Sequence, residues 1–130
     1  MARLNNKVAI ITGAGSGIAR AAVSMFCREG AKVGILELNE ELGKAAEKQI
    51  RAGGGDATFF QTDVTNDASV KSAIDATAKT YGKLNILFNC AGGSIAEDNK
   101  VTDVDLAVWD FTIALDLKGP FLCCRHGIPH

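Results

Sequence analysis

The residues best suited to chemistry lie near the amino end, where Thr12-Gly13-Ala14-Gly15-Ser16-Gly17-Ile18-Ala19 join a short apolar run to a segment of helical spacing. Glycines permit a sharp turn and let backbone N–H groups approach a pyrophosphate resting on the positive end of a helix. The G-x-G-x-x-G spacing is not met, because Ile18 stands where the third glycine belongs. Alone, the cluster also fits a permissive strand-to-helix turn; its place on the first strand of a βαβ unit favours a phosphate site. Glu37 strengthens that reading. It closes the next apolar run, 24 residues after Gly13, where a carboxylate accepts hydrogen bonds from the 2′- and 3′-hydroxyls of an adenosine ribose. By itself Glu37 would read as a solvated strand-end carboxylate. Next to the glycine turn it reads as a ribose contact. A 2′-phosphate would be repelled there, and no Lys or Arg at Ala14 to Ser16 or at Leu38-Asn39 compensates. NAD is therefore expected over NADP.

These residues need a scaffold, and the apolar pattern supplies one. Val8-Ala9-Ile10-Ile11, Val33-Gly34-Ile35-Leu36, Ala57-Thr58-Phe59-Phe60 and Ile86-Leu87-Phe88 are continuous rather than alternating, as in parallel strands buried on both faces. Between them lie helical spacings: Ile18, Ala22, Phe26; Leu42, Ala46, Ile50; and Val70, Ile74, Thr77, Tyr81. Asn39 and Asn66 can open helices, and Gly30, Gly53-Gly54-Gly55 and Gly82 can close them. Right-handed crossovers lay the first three strands in one direction, so the fourth starts on the other side of the first. The predicted fold is α/β, a Rossmann-type doubly wound parallel sheet of order 3-2-1-4. Its switch point lies between strands one and four, facing the loops Gly13 to Ile18 and Asn89 to Gly93. A last helix from about Asp105 to His126 has two apolar faces. One carries Leu106, Trp109, Ile113, Leu117 and Phe121, the other Val108, Phe111, Leu115 and Leu122. One face is expected to cover the sheet and the second, with Val108 and Phe111, to need a neighbour.

Taken together, these residues resemble the short-chain dehydrogenase/reductase family over the whole chain. Thr12, Gly13 and Gly17 match its T-G-x-x-x-G-x-G turn, with Ala19 in place of the last glycine. Asp63-Val64 resembles its adenine-contacting pair. Asn89-Cys90-Ala91-Gly92 is similar to its N-N-A-G segment, with Cys90 replacing the second Asn. The resemblance implies a cofactor site of Thr12, Gly13, Gly15, Ser16, Gly17, Ile18, Glu37, Asp63, Val64, Asn89, Ala91 and Gly92. Asp116, in Leu115-Asp116-Leu117-Lys118-Gly119-Pro120-Phe121, occupies the position of a catalytic-tetrad Asn whose carbonyl holds a water in a proton relay. Pro120 lacks the N–H for the carbonyl of Asp116, so a kink is expected that frees it. As a plain surface residue, Asp116 would instead join a polar strip with Thr112 and Asp105. The family also uses a Ser and a Tyr-x-x-x-Lys pair. Tyr81 is the single tyrosine and Asn85 stands four residues on, at an edge below strand four, where it cannot serve.

The chain is therefore read as one incomplete NAD(P)-binding Rossmann domain over 1–130. It corresponds to the amino-terminal half of a hydride-transferring oxidoreductase, inactive by itself and acting on a small alcohol or carbonyl compound only when a C-terminal half is supplied. The alternatives are a noncatalytic nucleotide-binding or oligomerisation module and, less well, an S-adenosylmethionine methyltransferase, whose loop normally begins with an acid where Thr12 stands. With 14 basic and 15 acidic side chains among 130 residues, no charge footprint for nucleic acid exists. No apolar run suits a membrane or a leader, so a cytoplasmic location is expected. Cys27, Cys90, Cys123 and Cys124 show neither paired metal spacing nor a disulfide framework. Cys123, Cys124, His126 and His130 match no usual metal site, and none is assigned. Homo-oligomerisation through the last helix is expected.

Overall fold

The structure, a computed structural model, describes residues 2–130. Strands β1 (Val8–Thr12), β2 (Lys32–Glu37), β3 (Asp56–Gln61) and β4 (Ile86–Phe88) form one parallel sheet in the order β3-β2-β1-β4. Each strand runs on into a helix: α1 (Gly17–Arg28), α2 (Glu40–Ala52) and α3 (Asp67–Tyr81), then, after β4 and a loop, α4 (Leu106–Ile113). A π turn over Ala114–Lys118 joins α4 to α5 (Gly119–Gly127). This is the α/β architecture that the apolar pattern predicts.

Strand alternation divides the core. Ala9, Ile11, Val33 and Ile35 pack against Ala19 and Val23 of α1 and Ala46 and Ile50 of α2. Ile10 and Leu36 face the other way, toward Val70 and Ile74 of α3 and Leu122 and Cys123 of α5. Because successive side chains of a strand point to opposite faces, β1 is buried throughout, which explains its unbroken apolar run. Asn39 and Asn66 cap α2 and α3 by accepting the N–H groups of Leu42 and Ser69, and Asp105 does the same for Ala107 in α4.

Three details differ from the sequence pattern. Ile18 is 79% exposed and Leu42 39% exposed; α1 turns Ala19 and Val23 inward instead. In α2 Gly43 is buried together with Ala46 and Ile50, and an added Cβ at Gly43 would lie 2.1 Å from the Phe59 ring. The helix comes too close to β3 there for any side chain.

The last helical segment reverses the expected faces. Leu122 is buried and Leu115 packs against the core, whereas Leu106, Trp109, Leu117 and Phe121 are exposed. The physical reason is what each segment packs against: α4 buries none of its residues, while α5 sets Leu122 and Cys123 in the cluster with Val70 and Ile74 of α3. Phe111, expected with Leu115, remains exposed on the near side.

Tyr81 also lies elsewhere than expected. Its hydroxyl sits 2.9 Å from Thr58 Oγ1 and donates to Asp56 Oδ1 at 3.1 Å. That is the amino end of β3, across the sheet from β4. Burial is the main cause that pushes its phenol up to about 12. Across the same face, His126 and His130 reach Asp67 and Asp75 of α3 at 2.7 and 2.9 Å. The His126 hydrogen bond is the main cause holding the Asp67 carboxyl below its ordinary range, and Lys71 does the same for Asp75.

Candidate functional site

A cleft of about 530 Å³ opens beyond the carboxyl ends of the strands, at the switch point. It is lined by Gly13, Ser16, Gly17 and Ile18 from the glycine turn, by Glu37, by Asp63 and Val64, and by Ala91 and Gly92 after β4. Thr12, Gly15 and Asn89 do not line it. Leu36, Leu38 and Thr62 do, and they escape notice in the sequence although each adjoins a motif residue. Ala19, Cys90 and Leu115 line it as well; Leu115 adjoins Asp116 in the last helical segment.

The turn is shaped by contacts that glycine alone permits. Gly13 has φ +64°, and a Cβ there would lie 2.9 Å from the backbone Cα of Ala91. Turn and far loop therefore meet almost backbone to backbone. At Gly15 the space for a Cβ is taken by Glu37 Cγ and Oε1, both at 2.7 Å. Glu37 Oε1 accepts the Gly15 N–H at 3.0 Å and Oε2 accepts the Asn39 N–H at 2.9 Å. These bonds fix the carboxylate in place. Each carboxylate oxygen has two lone-pair sites, so acceptor capacity remains for hydroxyl donors.

At the start of α1, Ser16 is extended and makes no side-chain cap, and the first turn holds no acidic residue. The first N–H groups of a helix have no partner within it, and the helix dipole makes this end positive. Capped α2, α3 and α4 differ in this respect. On the next wall Asp63 Oδ1 accepts from Thr65 N–H and Oγ1–H, at 2.9 and 2.7 Å, and the Asp63 N–H donates to Ser69 Oγ. Its second oxygen takes no hydrogen bond among the described residues.

Thr12 acts from behind the cleft. Its buried Oγ1 accepts the N–H groups of both Cys90 and Ala91 at 3.0 Å. Asn89 turns away toward α5, with Nδ2 at 3.8 Å from Cys124 Sγ and a buried Oδ1 that has no partner among the described residues. Asp116 touches the loop by its side chain: Oδ1 accepts the Gly93 N–H at 2.9 Å. Just before Pro120 the chain forms the π turn, with the Gly119 N–H bonded to the Ala114 carbonyl five residues back. Cys123 is buried, and desolvation pushes its thiol up to about 11. Among the described residues no three His, Cys, Asp or Glu side chains gather to hold a metal ion, and no helix is long and apolar enough to cross a membrane.

Comparison with known proteins agrees with this geometry. A family model described as short chain dehydrogenase matches residues 7–130. Secoisolariciresinol dehydrogenase of Forsythia intermedia is 40% identical over 125 residues, covering 96% of this chain and 44% of that protein. D-threitol dehydrogenase of Mycolicibacterium smegmatis is 39% identical, covering 95% of this chain and 46% of its own length. A crystal structure of a hydroxysteroid dehydrogenase from Escherichia coli superposes with a TM-score of 0.90 at 30% identity, over 98% of this chain and 53% of the other. This chain thus spans about half the length of the relatives it matches.

Proposed function

Because the chain belongs to the short chain dehydrogenase family, we propose that residues 7–130 form the NAD-binding Rossmann half of an oxidoreductase acting on an alcohol or carbonyl substrate. One observation carries the choice of cofactor. Glu37 is held by two backbone N–H groups against the glycine turn, with no cation beside it at residues 14–16 or 38–39. The residues present fit a dinucleotide: an uncapped helix end for phosphate, a fixed carboxylate for ribose hydroxyls, and the uncommitted oxygen of Asp63 for an amino donor. Bound NAD would supply the hydride acceptor. The chain's own part is to bind and orient it: α1 faces the pyrophosphate, Glu37 selects the ribose, and Ala91 and Gly92 shape the far wall. A Tyr-x-x-x-Lys pair is absent from these 130 residues, and Tyr81 is committed to β3. No residue of this stretch is therefore assigned the proton transfer to substrate. Family membership sets aside the methyltransferase reading.

Fluorescence titration with NADH and NADPH tests this. NADH is expected to bind more tightly. Glu37→Ala should weaken NADH roughly 10- to 100-fold, the loss of hydrogen bonds to a charged acceptor, and leave NADPH unchanged or improved. Equal binding of both by the unsubstituted chain would sink the reading.

We also place self-association on the last helical segment. Leu106, Trp109, Leu117 and Phe121 leave an exposed apolar stripe there, and contiguous exposed apolar surface marks interaction sites. A dimer in sedimentation at micromolar concentration is expected, reduced to monomer by Trp109→Glu with Phe121→Glu. A wild-type monomer under those conditions would contradict it.

A further inference from the structure

β3 is an outer strand of the sheet, and an outer strand carries a row of N–H and C=O groups with no strand beside them, a template for pairing with another chain. Successive residues of a strand turn these groups to opposite sides. The Thr62 N–H donates inward to the Glu37 carbonyl of β2, so Ala57 and Phe59, each an odd number of residues back, turn theirs outward. Side chains of α2 take both. The Arg51 Nε–H donates to the Ala57 carbonyl at 2.8 Å, and a Glu47 carboxylate oxygen accepts the Phe59 N–H. In a parallel pair, one residue of the neighbouring strand donates to one carbonyl and accepts the N–H of the residue two further on. Arg51 and Glu47 together supply that donor and that acceptor opposite Thr58.

Gly43, Glu47 and Arg51 recur at a spacing of four on one face of α2. Gly43 lets the helix lie against the Phe59 ring, and this close approach sets Glu47 and Arg51 at the outer edge of β3. An ion pair of 3.7 Å keeps their two heads side by side. Arg51 then passes round the edge: its Nη2 donates to Thr58 Oγ1 at 3.1 Å, and that hydroxyl meets the Tyr81 hydroxyl of α3 at 2.9 Å. A strap of hydrogen bonds thus runs from α2 over the edge of β3 to α3.

We propose that Glu47 and Arg51 form a seal: by filling the place of a neighbouring strand's residue, they keep β3 from pairing with a strand of a second copy of this chain. At Glu47 the seal requires an acceptor rather than a charge, because its partner is a backbone N–H, and Gln offers the same oxygen. The seal is independent of the cofactor site and of the last helical segment.

Amide hydrogen exchange of the unsubstituted protein, E47A/R51A and E47Q, each at micromolar and millimolar concentration, tests this. The unsubstituted protein should protect the Phe59 amide equally at both concentrations. In E47A/R51A that amide should exchange about tenfold faster at micromolar concentration and regain protection at millimolar concentration, where a strand of a second copy covers it. The Ile10 amide should stay unchanged throughout. E47Q should match the unsubstituted protein within about twofold. Undiminished Phe59 protection in the double variant would overturn the seal, as would fast exchange indifferent to concentration, or E47Q behaving like the double variant. Should E47A/R51A lose its fold, shown by Ile10 exchanging as fast as Phe59, E47A against E47Q decides. E47A is expected to free the Phe59 amide at micromolar concentration and protect it again at millimolar, and equal exchange in these two variants would overturn the proposal.

Discussion

Thr12→Val is expected to cost about 2–6 kcal/mol of stability, since two half-buried N–H groups lose their acceptor at roughly 1–3 kcal/mol each. Valine keeps the shape and the branch, so no cavity forms. The hydroxyl oxygen alone is removed from between β1 and the loop after β4, where it accepts from Cys90 and Ala91. Against a net stability of roughly 5–15 kcal/mol for an ordinary domain, this is a large fraction. Urea unfolding should show a lower midpoint at unchanged slope. NADH affinity should fall by about tenfold or more, because the wall formed by Ala91 loses its anchor. Thr12→Ser isolates the cause, as it retains the acceptor and gives up only a methyl group, at about 1 kcal/mol. If serine and valine prove equally damaging, the oxygen is not the reason for Thr12.

The same residue shows what sequence reasoning reaches. Thr12 opens a motif, so its importance is legible. Its partners are not, since they lie 78 and 79 residues away. The sheet order was legible for a different reason: continuous apolar runs and right-handed crossovers are local or general constraints, and they lead to β3-β2-β1-β4 without any side-chain detail. Helix caps at Asn39 and Asn66 are likewise local.

Failures cluster where tertiary packing overrides periodicity. α4 buries none of its residues and α5 turns Leu122 and Cys123 toward α3, so which face is covered depends on the neighbour, and helical spacing alone does not anticipate it. Gly43 takes the core position that the pattern gave to Leu42, because Phe59 occupies the space. Tyr81 follows the helical period correctly but ends at β3, since only the turn of α3 across the sheet decides which strand its hydroxyl meets. At the site, Glu37 was visible as a carboxylate at a strand end. Its two N–H donors, which give it a fixed orientation, are set by how the glycine turn folds back upon it.

That folding back makes the three glycines of the turn unequal, and alanine substitution should rank them. Gly13→Ala is expected to be worst. At φ +64° it incurs the left-handed penalty of about 1–2 kcal/mol, and its methyl meets the Ala91 Cα at 2.9 Å, where backbone must yield at a further 1–3 kcal/mol or so. The total is about 2–5 kcal/mol, with NADH binding lost alongside it. Gly17→Ala has a similar φ of +58° but nothing within 4 Å, so only the conformational cost of about 1–2 kcal/mol applies. Gly15→Ala has no positive φ; its methyl strikes Glu37 Cγ and Oε1 at 2.7 Å and Leu42 Cβ at 2.8 Å. The carboxylate must move off the turn, so the ratio of NADPH to NADH dissociation constants should fall toward one while stability drops by about 1–3 kcal/mol. Urea midpoints and paired titrations on the three variants distinguish these mechanisms. Equal loss at Gly13 and Gly17 would show that backbone conformation, not the close approach to Ala91, governs the turn, and an unchanged NADH preference in Gly15→Ala would remove Glu37 from the ribose site.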